Sequence, residues 1–577
     1  MNIQKSIPEF SNGSFMQNDA PDLDVVKQVE AVSSRLHDHH ADTAYVPDPD
    51  AVEDPEVVYI HEKSAKRVTF SGEDLVEVAL PPGSRVIYPR TPRRGLSDVR
   101  AAIRYALLHP EGMEPLPRLL KEGMKVTIAV DDISLPLPPM RRPDLRQLML
   151  EVLLDFLGQA GVSDIHIIVA TAFHRRMTEG EIRRMVGNHI YDRFSPDRLY
   201  NHDGENRDGM KWLGHTEVGE VVEINRRAAE SDLIIYVNIN FVPMNGGHKS
   251  VATGLAGYRT LREHHDPEVI AASNSYMDPG KSALADANER IGSVIEKKLK
   301  IFHIESAVNN RMFSPQLSFL SKNEDDLNVV ERQGLRALRY SLSRMSAPVK
   351  RRLFQRVPAP YECIAVHAGE VNAVHNKILR ISKKQYVVNV KGQADVLLMG
   401  IPFVSPYSVN SILNPLLVQV MALGYLYHLY DGGVPLLKDG GVLILFHPCR
   451  DEFDARFHPS YIEFFHRLLP ESTDSRYLQK KYEVEFATNP EYIKEYREGY
   501  AYHGVHPFYM WYWGETGRRR VGQVIAVGAE HQHVPERMGW ENAATVEEAL
   551  LKAYNTVGPN PQITMLHQPP VVMTRCV

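Results

Sequence analysis

Along the chain, short runs of consecutive apolar residues alternate with stretches in which apolar positions recur every three to four residues. The first pattern predicts buried strands, the second helices with one face on a core. Strands are predicted at 125–130 (KVTIAV), 164–170 (DIHIIVA) and 232–237 (DLIIYV), and helices at 97–108, 143–160 and 178–186. Ser97 reads as the cap of the first helix. Asp144 lies in the first turn of the second with Gly161 past its end, and Thr178 with Glu181 has capping-box spacing. A second series follows, with strands at 395–399, 441–446, 523–527 and 563–566 and helices at 461–469 and 546–554. Strands alternating with helices predict an α/β fold of two α/β domains, their mainly parallel sheets facing across a cleft.

Two regions depart from this rhythm. Residues 1–55 are polar and acidic without sustained periodicity and read as an extension. From about 295 to 390 the pattern is mixed, with a basic run at 341–356 that reads as a solvated helix face, and with Pro348, Pro358 and Pro360 marking a junction. The expected organisation is an extension (1–55), an α/β domain carrying the site (56–310), a connecting region (311–390) and a C-terminal α/β domain (391–577). No period of 20–50 residues repeats, which argues against a solenoid or propeller.

Composition narrows the picture modestly. A hydrophobic fraction of 43% and a charged fraction of 24% in 577 residues are ordinary globular values, with ample core for more than one domain. A net charge of −6 argues against a nucleic-acid or anionic-membrane partner. The first residues lack the apolar segment of a secretory signal, and no apolar run is long enough to span a bilayer. The three cysteines (Cys363, Cys449 and Cys576) are too few and too scattered for a disulfide framework. A cytoplasmic protein is expected.

Chemistry concentrates where strands end. In open parallel sheets, ligands bind beyond the carboxyl ends of the strands. The first predicted strand runs into Asp131 and Asp132, the second into Thr171, His174, Arg175 and Arg176, and the third into Asn238, Asn240 and the loop Gly246-Gly247-His248-Lys249. Adjacent glycines let a backbone approach a ligand closely, and a desolvated lysine amine is nucleophilic. Paired His264 and His265 suit metal coordination through neutral imidazole. In the second half, His447 follows a strand end and Trp511 lies in the aromatic stretch HPFYMWYWG (506–514); both are candidates for a substrate-facing wall.

The order of these segments resembles the nickel-dependent lactate racemase family. The resemblance rests on VDDISLPLP (130–138), ATAFHRRMTEGE (170–181), NHD (201–203), LGHTEVG (213–219), DLIIYVN (232–238) and GGHKSVATGLAGYRTLREHH (246–265). More faintly, VNSILNPLLVQVMALG (409–424) continues it. It implies a nickel-pincer nucleotide, derived from nicotinic acid and tethered as a thioamide to Lys249 after Gly246 and Gly247. It implies His265 as the protein's nickel ligand, with His264 as the alternate, and His174 as the histidine that takes the substrate hydroxyl proton. Asp132 aligns with the family's acid. The implied activity is racemisation or epimerisation of an α-hydroxy acid, lactate-like or larger, with proteins of cofactor biosynthesis as partners.

Departures from the family pattern bear on mechanism. Where the family has Thr-Arg-Pro, this chain has Ser134-Leu135-Pro136, so the carboxylate-binding arginine is absent. Arg175 or Arg176 is a candidate replacement, as are Arg141 and Arg142, and Leu135 suggests a bulkier or less anionic substrate. The family's second catalytic histidine falls on Met244, leaving His248 or Tyr236 to complete the pair. The family's Gln-x-x-Lys has no counterpart near 410–417. Two rival readings follow: a homologue that binds a small ligand or protein without catalysis, and a zinc hydrolase using His174, His264 and His265.

Overall fold

A computed structural model describes residues 52–134, 139–403, 413–568 and 571–577. The extension up to residue 51, Leu135 and Pro136 of the departing segment, and 409–412 of the distal motif lie outside the described residues.

Two mainly parallel sheets organise the chain. The smaller has six strands in the order Cys363–Gly369, Ile301–Val308, Leu233–Asn240, Lys125–Asp131, Asp164–Ala170 and Leu199–Asn201. All its pairings are parallel except that of the edge strand Cys363–Gly369. The larger has seven, in the order Val57–Tyr59, Arg85–Ile87, Ile563–Leu566, Ala394–Gly400, Leu437–Phe446, Gln523–Val527 and Glu541–Ala543. Only its first pair is antiparallel. The described residues pack as one compact unit.

The predicted apolar runs became central strands: in Leu233–Asn240 every side chain is buried, as a parallel strand covered on both faces requires. Ile301–Val308 is equally buried but was not predicted, because His303 and Glu305 interrupt its apolar run. They are tolerated because the His303 Nε2 and the Glu305 carboxylate lie 3.0 Å apart and pair with each other. The mixed region supplies the edge strand Cys363–Gly369, and Val57–Tyr59 with Arg85–Ile87 joins the larger sheet. The capping box of Thr178 and Glu181 is present. The first helix, Val99–Leu108, is capped by Asp98 rather than Ser97, its carboxylate accepting from the Ala101 amide. None of the helices among the described residues is long and apolar enough to cross a membrane.

In the smaller sheet the chain builds outward from Lys125–Asp131 to one side, then returns to place Leu233–Asn240 on the other. The sheet order therefore reverses between these two strands. That is where the carboxyl ends of an open α/β sheet leave a crevice.

Candidate active site

A cavity of about 120 Å³ opens at this crevice. Asp131, Asp132, Phe173, His174, Asn238, Gly246, Lys249 and His265 come from the strand ends and loops of the smaller sheet. His506, Tyr509, Met510 and Trp513, from the aromatic stretch, close it on the far side.

The Lys125–Asp131 strand delivers two carboxylates with different roles. Asp131 accepts from the Asn238 side chain (2.7 Å) and the Ile239 amide (3.0 Å), and burial pushes its carboxyl up to about 7. Burial works in the same direction on Asp132, but His174 and the Ser134 donors outweigh it and hold that carboxyl below the usual range. Beyond the Asp164–Ala170 strand, Ala172 takes a positive φ of 48° and turns the chain so that His174 meets Asp132. The His174 Nδ1 lies 2.9 Å from Asp132 Oδ2 and 2.8 Å from Ser134 Oγ. An ionised carboxylate only accepts, so Nδ1 carries the hydrogen toward Asp132 and the lone pair is left on Nε2.

The third strand leads into the glycine pair, where lack of a side chain is obligatory. A Cβ on Gly246 would sit 2.4 Å from the Glu305 carboxylate, and one on Gly247 2.8 Å from the His375 ring. Both residues have positive φ (95° and 58°). Glu305, fully buried beneath the loop, pairs with His303 and His375 and accepts from Asn240 and the Gly247 amide. Burial opposes its charge, yet the two imidazoles bring its carboxyl down to about 2. This seat fixes the start of helix Lys249–Gly254. Lys249 is half-buried in the cavity wall with its amine 5.8 Å from the centre of the Trp513 ring. Burial lowers the amine to about 8, against the pull of Asp131 and Asp132.

His265 ends helix Tyr258–His264. Its Nδ1–H donates to the Leu261 carbonyl (3.0 Å), which assigns the lone pair to Nε2, and its ring stacks on Tyr509 at 4.8 Å. Burial depresses it to about 3, so the ring is neutral and a competent metal donor. His264 is brought elsewhere: it is buried outside the cavity lining with Nε2 3.1 Å from the Thr253 hydroxyl.

Other predicted residues are not brought to the cavity. His248 turns away, its two ring nitrogens 2.7 Å from Glu289 and 2.8 Å from Glu296. Burial disfavours its charge, but the two carboxylates overcome this and raise the ring to about 9. Arg175 is buried in a two-point ion pair with Glu181 and lies over Phe457, and Arg176 donates to the Arg497 carbonyl. His447 accepts from the Cys449 amide beneath Gly72. Trp511 donates to the Thr473 carbonyl and does not line the cavity. Among the described residues, no three His, Cys, Asp or Glu side chains gather as a metal-holding group, and the zinc-hydrolase arrangement is not formed.

The wall that sequence reasoning missed carries a signal. Helix His506–Tyr512 starts with Pro507 in its first turn. From that start His506, Tyr509, Met510 and Trp513 follow the i, i+3, i+4, i+7 spacing of one helical face, whereas Trp511 falls on another.

The fold and this cavity define an α/β protein with a crevice at the switch point of a parallel sheet, lined by a half-buried lysine and several histidines. Residues 72–278 match the lactate racemase N-terminal domain family. The lactate racemases of Thermoanaerobacterium thermosaccharolyticum and Lactiplantibacillus plantarum are 27% and 28% identical over 183 and 193 residues, which is 31% and 33% of this chain. These matches span about two fifths of the relatives' own length (40% and 43%). The structure of the lactate racemase apoprotein from Thermoanaerobacterium thermosaccharolyticum superposes with a TM-score of 0.58 at 19% identity, covering 89% of this chain and all of that one (100%). The fold is shared.

Proposed function

We propose that the protein is a racemase or epimerase of an α-hydroxy acid, lactate-like or larger, working in the cytoplasm with a lysine-tethered nickel-pincer nucleotide. The observation that carries this reading is that Lys249, His265 and the His174–Asp132 pair line one cavity. The residues fit the group. A lysine amine lowered to about 8 is partly unprotonated at neutral pH, as attachment to a carboxyl-derived carbon requires. A neutral imidazole with Nδ1–H committed to a carbonyl offers the metal one nitrogen, Nε2, and Lys249 and His265 would hold the group between them. When bound, the group supplies a pyridinium carbon that accepts a hydride.

The chain's own residues supply position and proton transfer. His174, oriented by Asp132, takes the substrate hydroxyl proton at Nε2, and the buried Asp132 stabilises the imidazolium that results. Tyr509, Met510 and Trp513 keep water from the reacting carbon and give the substrate an apolar, aromatic wall. That wall supports a substrate bulkier or less anionic than lactate. A preference for lactate across a panel of 2-hydroxy acids would count against this. Proteins that assemble and load the cofactor are the expected partners.

The second reading, a homologue that binds without catalysis, is favoured by the commitment of Arg175 to Glu181 and of His248 to Glu289 and Glu296. Co-expression with the cofactor-making proteins separates the two. The enzyme should gain a covalent adduct on Lys249 by intact mass, about one nickel per chain, and racemisation detectable by chiral chromatography. An unmodified Lys249 without nickel selects the binding homologue.

A further inference from the structure

Interconverting two enantiomers at one hydride acceptor demands two proton-exchanging groups, because the hydroxyl points to different sides when either α-hydrogen faces the acceptor. His174 is one. Of the residues the sequence suggested for the other, His248 is turned into its two glutamates. Tyr236 lines the cavity, but burial and the neighbouring Asp131 hold its hydroxyl well above the usual tyrosine value, so it keeps its proton.

The cavity contains another imidazole, from a part of the chain far from the family-like segment. His506 stands 5.4 Å from His174 between ring centres, with the two rings almost perpendicular (87°). Its Nδ1 is 2.5 Å from the Tyr461 hydroxyl, and its ring is stacked on Tyr502 at 4.7 Å. Tyr461 is wholly buried, and burial holds its phenol well above the usual value, so it anchors the imidazole as a neutral partner. His174 and His506 thus share a design: each ring is held through Nδ1, one by a carboxylate and one by a phenol, and each lines the same cavity.

We propose that His506, positioned by Tyr461, is the second proton-exchanging residue of this site, acting on the enantiomer opposite to the one His174 serves. This rests on the racemase reading above. With the group bound, one imidazole would start neutral and the other protonated; the neutral ring would take the substrate O–H proton as the group accepted the α-hydrogen with its electron pair, leaving a 2-oxo acid. Return of the hydride to the opposite face of the carbonyl carbon would be matched by the ring protonated at the start, which would give its proton to the carbonyl oxygen. No net oxidation results. One proton has moved from ring to ring, and the close approach of the two imidazoles lets the site reset before the next turnover.

The test uses the co-expressed, cofactor-loaded protein and the variants His506→Gln, His174→Gln and Tyr461→Phe. Racemisation should fall about 10²–10⁴-fold in each histidine variant. Adduct mass and nickel content should stay at wild-type levels. In single-turnover absorbance experiments, His506→Gln should still reduce the cofactor with one enantiomer only, and His174→Gln with the other only. Tyr461→Phe should lower kcat roughly tenfold with little change in KM. In the unloaded protein, ¹⁵N NMR of the histidine rings should show the His506 Nδ1 resonance shift in Tyr461→Phe, a readout independent of turnover. A His506→Gln protein that racemises within threefold of wild type overturns the proposal, as does equal loss of both single-enantiomer reactions with the adduct intact. A wild-type protein lacking adduct and racemisation overturns the racemase reading itself, and this proposal with it.

Discussion

His248 caps the start of the short lysine-bearing helix and His265 ends the helix that follows it, yet the fold gives them opposite electrical characters. Both are nearly inaccessible to water. The first, between Glu289 and Glu296, is raised to about 9 and is a cation at neutral pH; the second, facing a backbone carbonyl and the Tyr509 ring, is lowered to about 3 and is neutral. Burial alone pushes both the same way, so the difference lies wholly in what the ring nitrogens meet. A cationic imidazole clamps structure, whereas a neutral one has a lone pair to give. The contrast separates the histidine that fastens the lysine helix from the one suited to chemistry.

The largest effects would come from exchanging those characters. His265→Ala should remove nickel from the co-expressed protein and reduce racemisation by at least ~10²-fold, while the Lys249 adduct persists. His248→Gln should keep activity within a few-fold. Metal analysis and chiral assay read both, and nickel loss in His248→Gln rather than His265→Ala would reverse the assignment. Next, Asp132→Asn should cost roughly 10²–10³-fold in kcat by removing the charge that orients His174 and stabilises its imidazolium, with nickel content unchanged.

Smaller effects appear in stability against pH. The His248 ring is raised when folded, so its contribution is fully present below the unfolded value near 6.5 and is lost as pH rises through about 9. Glu289 is half exposed, so solvent screening limits the contribution to ~1–2 kcal/mol. Thermal melts should show wild type losing stability between pH 7 and 9 relative to a Glu289→Gln, Glu296→Gln double variant, and parallel curves would remove the clamp from the argument. His265 behaves oppositely: its folded value is depressed, so its contribution is lost as pH falls from about 6.5 toward 3. Smallest of all, Trp513→Phe should shift the Lys249 amine by a few tenths of a unit, read by the pH dependence of amine labelling in unloaded protein. Trp511→Phe should leave it unchanged, since that ring lies behind the wall.

Much of this site was legible because parallel strands place their downstream residues at one rim. Asp132, His174, Lys249 and His265 follow from that rule and from the family resemblance, and all line the cavity. What escaped was set by partners distant in sequence. Nothing near His248 announces Glu289 and Glu296; Glu181 lies only six residues beyond Arg175, but its capping-box role hid that it also binds that guanidinium. Trp511 was preferred to Trp513 because the face of a short aromatic helix depends on where it begins, and that start at Pro507 was not resolved from composition. In the fold, apolar strands were readable and Ile301–Val308 was not, because its two polar residues are compensated by each other and by His375.

The larger sheet pairs strands from distant parts of the chain, and this has a consequence for biosynthesis. The Arg85 side chain meets Thr564 across 479 residues of intervening sequence, and Arg85–Ile87 lies beside Ile563–Leu566 in parallel register. A ribosome delivering the chain from its amino end exposes Val57–Tyr59 and Arg85–Ile87 long before their neighbour exists. The smaller sheet, contained within residues 125–369, can be assembled meanwhile. Until residue 566 emerges, the early strands have an unpaired edge open to aggregation or to a chaperone. Pulse-proteolysis of stalled nascent chains should therefore find the lysine helix protected well before Arg85–Ile87.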